Sequence, residues 1–104
     1  MALPQKYWQQ LQQYGPSLQE AFAQQLAKDL QVALEDLPQK DWLSWLSAFL
    51  GSRPQDLAVF LYRVDISEQQ LLSRAPQSTE ELAQLILERE AQKVIFKAQY
   101  AGKL

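Results

Sequence analysis

The sequence predicts an all-α fold, a single-domain bundle of five or six helices that ends in a long one. Three observations predict it. Apolar residues recur at the 3.6-residue helical period along most of the chain. Prolines sit near the starts of these periodic stretches, where the missing N–H costs nothing, and glycines follow them. Only Leu57 to Val64 also reads as a buried strand, and no second strand candidate exists to pair with it. At 104 residues, with connections too short to separate domains, the chain is expected to form one domain over 1–104.

The first helix is expected over about 4–14, with Leu3, Tyr7, Leu11 and Tyr14 on one stripe. The second, over 17–36, carries Leu18, Phe22, Leu26 and Leu30, extended by Ala33, Leu34 and Leu37. A third over 38–50 carries Trp42, Trp45, Leu46 and Phe49, and its weak polar face of Ser44 and Ser47 implies near-complete burial. The fourth, over 54–64, carries Leu57, Phe60, Leu61 and Val64, and a short fifth over 67–74 offers Leu71 and Leu72. The sixth runs from 78 to about 100.

Ser17 with Glu20, Ser67 with Gln70 and Ser78 with Glu81 fit the capping box, in which two side chains satisfy backbone donors at a helix start. Ser52 with Gln55 can do the same before Pro54. Gly15, Gly51 and Gly102 are expected as left-handed caps.

The chain has no histidine and no cysteine. It therefore lacks an imidazole for acid–base work near neutral pH, a thiolate nucleophile and the usual ligands of zinc, iron–sulfur and haem centres. No cofactor is expected. A net charge of −2, from 10 basic and 12 acidic residues, argues against broad nucleic-acid binding. The N-terminal residues 1–12 carry no basic-then-apolar signal pattern, and the longest uncharged run, Trp42 to Ser52, is about half the roughly 20 residues of a membrane span. The expected location is cytoplasmic, with no membrane partner.

The last helix draws the functional expectation. Leu82, Leu85, Ile86, Phe96 and Tyr100 make one apolar stripe, and Leu87, Ala91, Val94 and Ala98 make another on roughly the opposite side. The second has the 4-3-4 spacing of a coiled-coil seam, with alanines that admit a close neighbour. Either the helix lies centrally and is covered on both sides, or the second stripe meets a partner, a second copy of the chain included. Lys93 and Lys97, along the same helix, would orient that partner electrostatically.

Other chemistries leave thinner traces. Lys93, Lys97 and Lys103 with Tyr100 form a basic end that could take an anion or nucleic acid, but cations also suit a helix C-terminus. Glu81 and Glu88 with Asp36, Asp41 or Asp65 would supply oxygen ligands for a divalent metal, although acids at i, i+7 are usually a solvated face. Lys40 lies one turn before Ser44, a spacing open to Ser–Lys chemistry but common at helix starts. Leu61-Tyr62-Arg63 resembles the tripeptide that names the LYR family of small helical mitochondrial adaptors. The match covers three residues, mid-chain in a slightly acidic protein, whereas in that family it lies near the N-terminus of a basic one. We read it as coincidence, with Tyr62 and Arg63 flanking a buried Leu61 and Val64. The expected function is a small non-enzymatic interaction protein: an adaptor, subunit or regulator presenting helical surface. An anion- or nucleic-acid-binding module and a carboxylate–metal enzyme stand as alternatives.

Overall fold

The computed structural model describes residues 5–102, all helix, turn and loop. Six α-helices follow in chain order: α1 (Lys6–Leu11), α2 (Pro16–Leu30), α3 (Trp42–Gly51), α4 (Leu57–Val64), α5 (Glu68–Arg74) and α6 (Thr79–Tyr100). Two 3₁₀ turns, Leu34–Asp36 and Pro54–Asp56, lie before α3 and α4. No strand occurs among the described residues.

The last helix organises the rest. With 22 residues, α6 is about 33 Å long, close to the 36 Å long dimension of the molecule. Helices α1, α2, α3 and α4 all pack on it. It is therefore buried on several sides, and Ile86, Ile95, Leu87 and Ala91 are all enclosed. Leu11 of α1, Phe22, Leu26 and Leu30 of α2, Leu46 and Leu50 of α3, and Phe60 and Val64 of α4 complete one core. Each such large side chain contributes about 1.5–3 kcal/mol when withdrawn from water.

Aromatic contacts tie the layers together. Trp8 packs on Phe22 with ring centres 5.2 Å apart, and Phe22 meets Trp42 edge-on at 5.4 Å. Trp45 stacks on Phe49 at 5.2 Å, and Phe49 reaches Phe60 at 5.4 Å. All three tryptophans are half-buried within this framework.

Helix α1 is too short to stand on propensity and has no side-chain cap of its own. Its first amides are satisfied from α6. The Tyr7 and Trp8 N–H groups donate to the two carboxylate oxygens of Glu88 at 2.6 and 2.9 Å. The Leu3 position lies outside the described residues.

Several boundaries differ from expectation. Helix α2 stops at Leu30, because Gln31 adopts a left-handed conformation (φ 57°) and Val32 N–H closes back on the Ala27 carbonyl at 3.0 Å. That closure is the Schellman termination, made here without glycine. Helix α3 begins only at Trp42, after a left-handed Asp41. Its middle is also less buried than expected: Ser44 and Ala48 face solvent, and the Ser47 hydroxyl lies 3.1 Å from that of Thr79.

The caps divide similarly. Ser67 and Gln70 form the full capping box. Ser78 accepts from the Glu81 N–H at 3.1 Å, while the Glu81 carboxylate takes the N–H of Gln77 instead of completing the box. Ser17 caps nothing, since Gly15, in an extended conformation, is the N-cap and Pro16 opens the helix. Ser52 donates to the Phe49 carbonyl at the end of α3 and is not an N-cap for the segment after Pro54. Of the three glycines only Gly102 is left-handed (φ 74°). The remaining left-handed positions are Gln31, Asp41, Asp65 and Ala75.

Candidate functional site

Helix α6 places the residues expected to meet a partner in two different settings. Leu87 and Ala91 are 1% and 0% exposed and belong to the chain's own core. They are enclosed by the chain's own helices, the central placement that was one of the two alternatives for this stripe: four helices pack on α6. Val94 and Ala98, at 6% and 8%, lie at the edge of that core. They line a half-open groove of about 360 Å³ between α2 and α6.

Leu18 and Ala21 of α2, with Val94, Ala98 and Ala101, give the groove apolar surface. Gln24 and Gln25 line it as well, and Lys28 on α2 and Lys97 on α6 supply its charge. Among the described residues no carboxylate lines it. Lys28 and Lys97 are exposed, and neither makes an ion pair among the described residues. Each stands in the last turn of its helix, which the helix dipole favours. That accounts for a cation on each helix, but not for two of them on one groove without an acid.

Lys93 has a different fate. Its ammonium donates to Asp29 Oδ2 at 2.7 Å and to the carbonyls of Val64 and Arg63 at 3.3 and 3.4 Å, linking α6 to α2 and to the end of α4. Glu90 Oε1 lies 3.5 Å from the same nitrogen. Gln25, which lines the groove, also donates to Asp29 Oδ2, at 3.0 Å. The cluster thus sits one side chain beneath the groove.

Its two acids are held in opposite states. Glu90 is 0% exposed, and as a carboxylate its oxygens would have no hydrogen-bond partner. Burial, reinforced by the neighbouring Asp29, pushes its carboxyl up to about 9. Protonated, Glu90 becomes a donor toward Asp29. For Asp29, burial alone would raise the pKa, but hydrogen bonds from Glu90, Lys93 and Gln25 together hold it below the usual carboxylate range. At neutral pH the cluster is one carboxylate, one ammonium and one neutral acid.

The remaining candidates are engaged or dispersed. Glu88 caps α1, Glu81 holds the Gln77 amide, and Asp65 pairs with Arg89 at 2.9 Å. No group of three or more His, Cys, Asp or Glu among the described residues is placed to hold a metal ion. The basic end is broken up, because Lys93 faces Asp29 while Lys97 faces the groove; Lys103 lies outside the described residues. A second groove of about 250 Å³ brings Lys6, Arg74 and Arg89 near Glu88, so its charge is mixed. In the LYR tripeptide Leu61 is half-buried and Tyr62 is 85% exposed. No helix among the described residues is long and apolar enough to cross a membrane.

No protein-family model matches the chain, and neither does any curated protein or solved structure.

Proposed function

We propose that this chain is a small cytoplasmic interaction module, an adaptor, subunit or regulator without catalysis of its own, and that it receives a partner protein in the α2–α6 groove. One observation carries the reading: a concavity of mixed apolar and polar lining that, among the described residues, is bordered by two lysines without ion pairs and by no acid. Apolar surface with charge beside it is how protein contacts combine burial with selectivity. The contact surface therefore shifts from Leu87 and Ala91 to Val94, Lys97 and Ala98, with α2 as the opposite wall. Lys93 supports this wall from within, through Asp29, instead of steering a partner. A homodimer through the buried half of the stripe has no surface to use.

Photo-crosslinking in the native host tests the reading. A benzophenone side chain at Gln24, in the groove, should yield a discrete adduct, and one at Gln69, exposed on α5, should not. The adduct should fade when Lys28 and Lys97 are both changed to Glu. Equal labelling from the two positions, or none from Gln24, would remove the groove as the contact site.

A further inference from the structure

We infer that the occupant of the α2–α6 groove is an acidic amphipathic helix of a partner protein, its apolar stripe on Leu18, Ala21 and Ala101 and its carboxylates on Lys28 and Lys97. The inference rests on the interaction reading above and names the partner's chemistry.

Shape favours a helix. The α2 wall runs from Ser17 to Lys28, about 17 Å at 1.5 Å per residue, or roughly three helical turns. The groove is half-open along this length, whereas small-molecule sites enclose most of their ligand. A half-open apolar trough instead accepts one face of a helix, whose other face stays in water. Ala21, Ala98 and Ala101 keep the walls low, so a third helix backbone can come close.

Charge selects an acidic helix. Both lysines are exposed and unpaired among the described residues, one on each wall, so a helix lying between them would meet a cation on both sides. The whole chain carries −2, so this groove is a positive site on a mildly acidic molecule. A basic segment would be repelled here and a neutral one would gain nothing from either ammonium group, which is the basis of discrimination at an interface. The third nearby cation, Lys93, is already committed to Asp29 and adds no free charge.

The test uses three fluorescein-labelled helical peptides with the same Leu/Ala stripe and with Glu, Gln or Lys flanks. Anisotropy should show the Glu peptide binding at least about tenfold more tightly than the Gln peptide, with no binding of the Lys peptide, and its affinity should fall as salt rises. Changing Lys28 and Lys97 together to Gln should erase the Glu-over-Gln preference. Circular dichroism should be unchanged, because both side chains are exposed. Amide shifts on binding should fall on Ala21 and Ala98. Equal binding of the Glu and Gln peptides, shifts confined to another face, or no binding by any peptide each overturn the inference. If no peptide binds while Gln24 still crosslinks a host protein, the helix proposal fails and the interaction reading stands. If the Glu peptide binds but Gln24 captures nothing in the host, the reading of biological role is what fails.

Discussion

Lys93 and Asp29, 64 positions apart, meet at 2.7 Å with side chains only 21% and 9% exposed. This contact fixes α6 against α2 directly below the groove, and it leaves the fully buried Glu90 beside a carboxylate.

Removing the cation should therefore be costly. Lys93→Met leaves Asp29 charged and nearly buried, and should destabilise the fold by about 2–3 kcal/mol. That is less than the roughly 3–5 of a fully buried pair, because Lys93 keeps some solvent contact. Urea denaturation at pH 7 measures it. Adding Asp29→Asn to the same chain should restore part of the loss, since the uncompensated charge is then gone.

Glu90 gives the protein an alkaline weakness. Its carboxyl titrates near 9 in the fold and near 4.5 in the unfolded chain. The raised value means that its contribution is complete below about 4.5 and is lost as pH rises toward 9, by up to about 1.4 kcal/mol per pH unit. Asp29, held low, acts in the opposite sense and is lost only in acid. Glu90→Gln keeps the shape and a donor without the ionisation. Its stability should exceed that of the parent by a margin that grows between pH 6 and 9, and a constant margin would refute the assignment.

The buried half of the α6 stripe should behave as core. Leu87→Ala should cost about 2–5 kcal/mol, as deletion of an enclosed leucine does. Thermal unfolding of the variant decides it. A cost below about 0.5 kcal/mol, usual for surface positions, would return Leu87 to the exterior.

Two serines that look alike in the sequence should respond differently. Ser78→Ala removes an observed cap and should cost about 1 kcal/mol. Ser17→Ala, inside α2, should change stability by less than about 0.5 kcal/mol. The two melting temperatures provide the comparison.

Ala75 ends α5 in a left-handed conformation at φ 47°. A Cβ is disfavoured there, so Ala75→Gly should stabilise the protein by about 0.5–1 kcal/mol. A chemical melt showing a loss would mean that unfolded-chain entropy outweighs the relief at this site.

The all-α architecture and the extent of α5 and α6 are legible in the sequence, because Ser67 and Ser78 mark the two starts and the period of α6 is long. The end of α2 is not. Gln31 is an ordinary helix former, and the left-handed turn there belongs to a local closure of Val32 onto Ala27 that no glycine announces. Half of the candidate site is legible, since Val94, Lys97 and Ala98 lie along α6, but their α2 wall depends on which helix packs there. The buried acids do leave a signal in the sequence. Glu90 falls in register between Leu87 and Val94, and Asp29 between Leu26 and Leu30. An acid on a core stripe announces a buried partner, although neither position names the other.

The central place of α6 also bears on how the protein is made. Translation delivers α1 to α5 before the helix on which α1 to α4 pack. The amides of Tyr7 and Trp8 wait some eighty residues for Glu88, which at about 5–20 residues per second is several seconds of elongation. Until then the nascent chain holds the apolar sides of Phe22, Leu46 and Phe60 without their central support. Completion of this domain's core thus waits for the synthesis of α6.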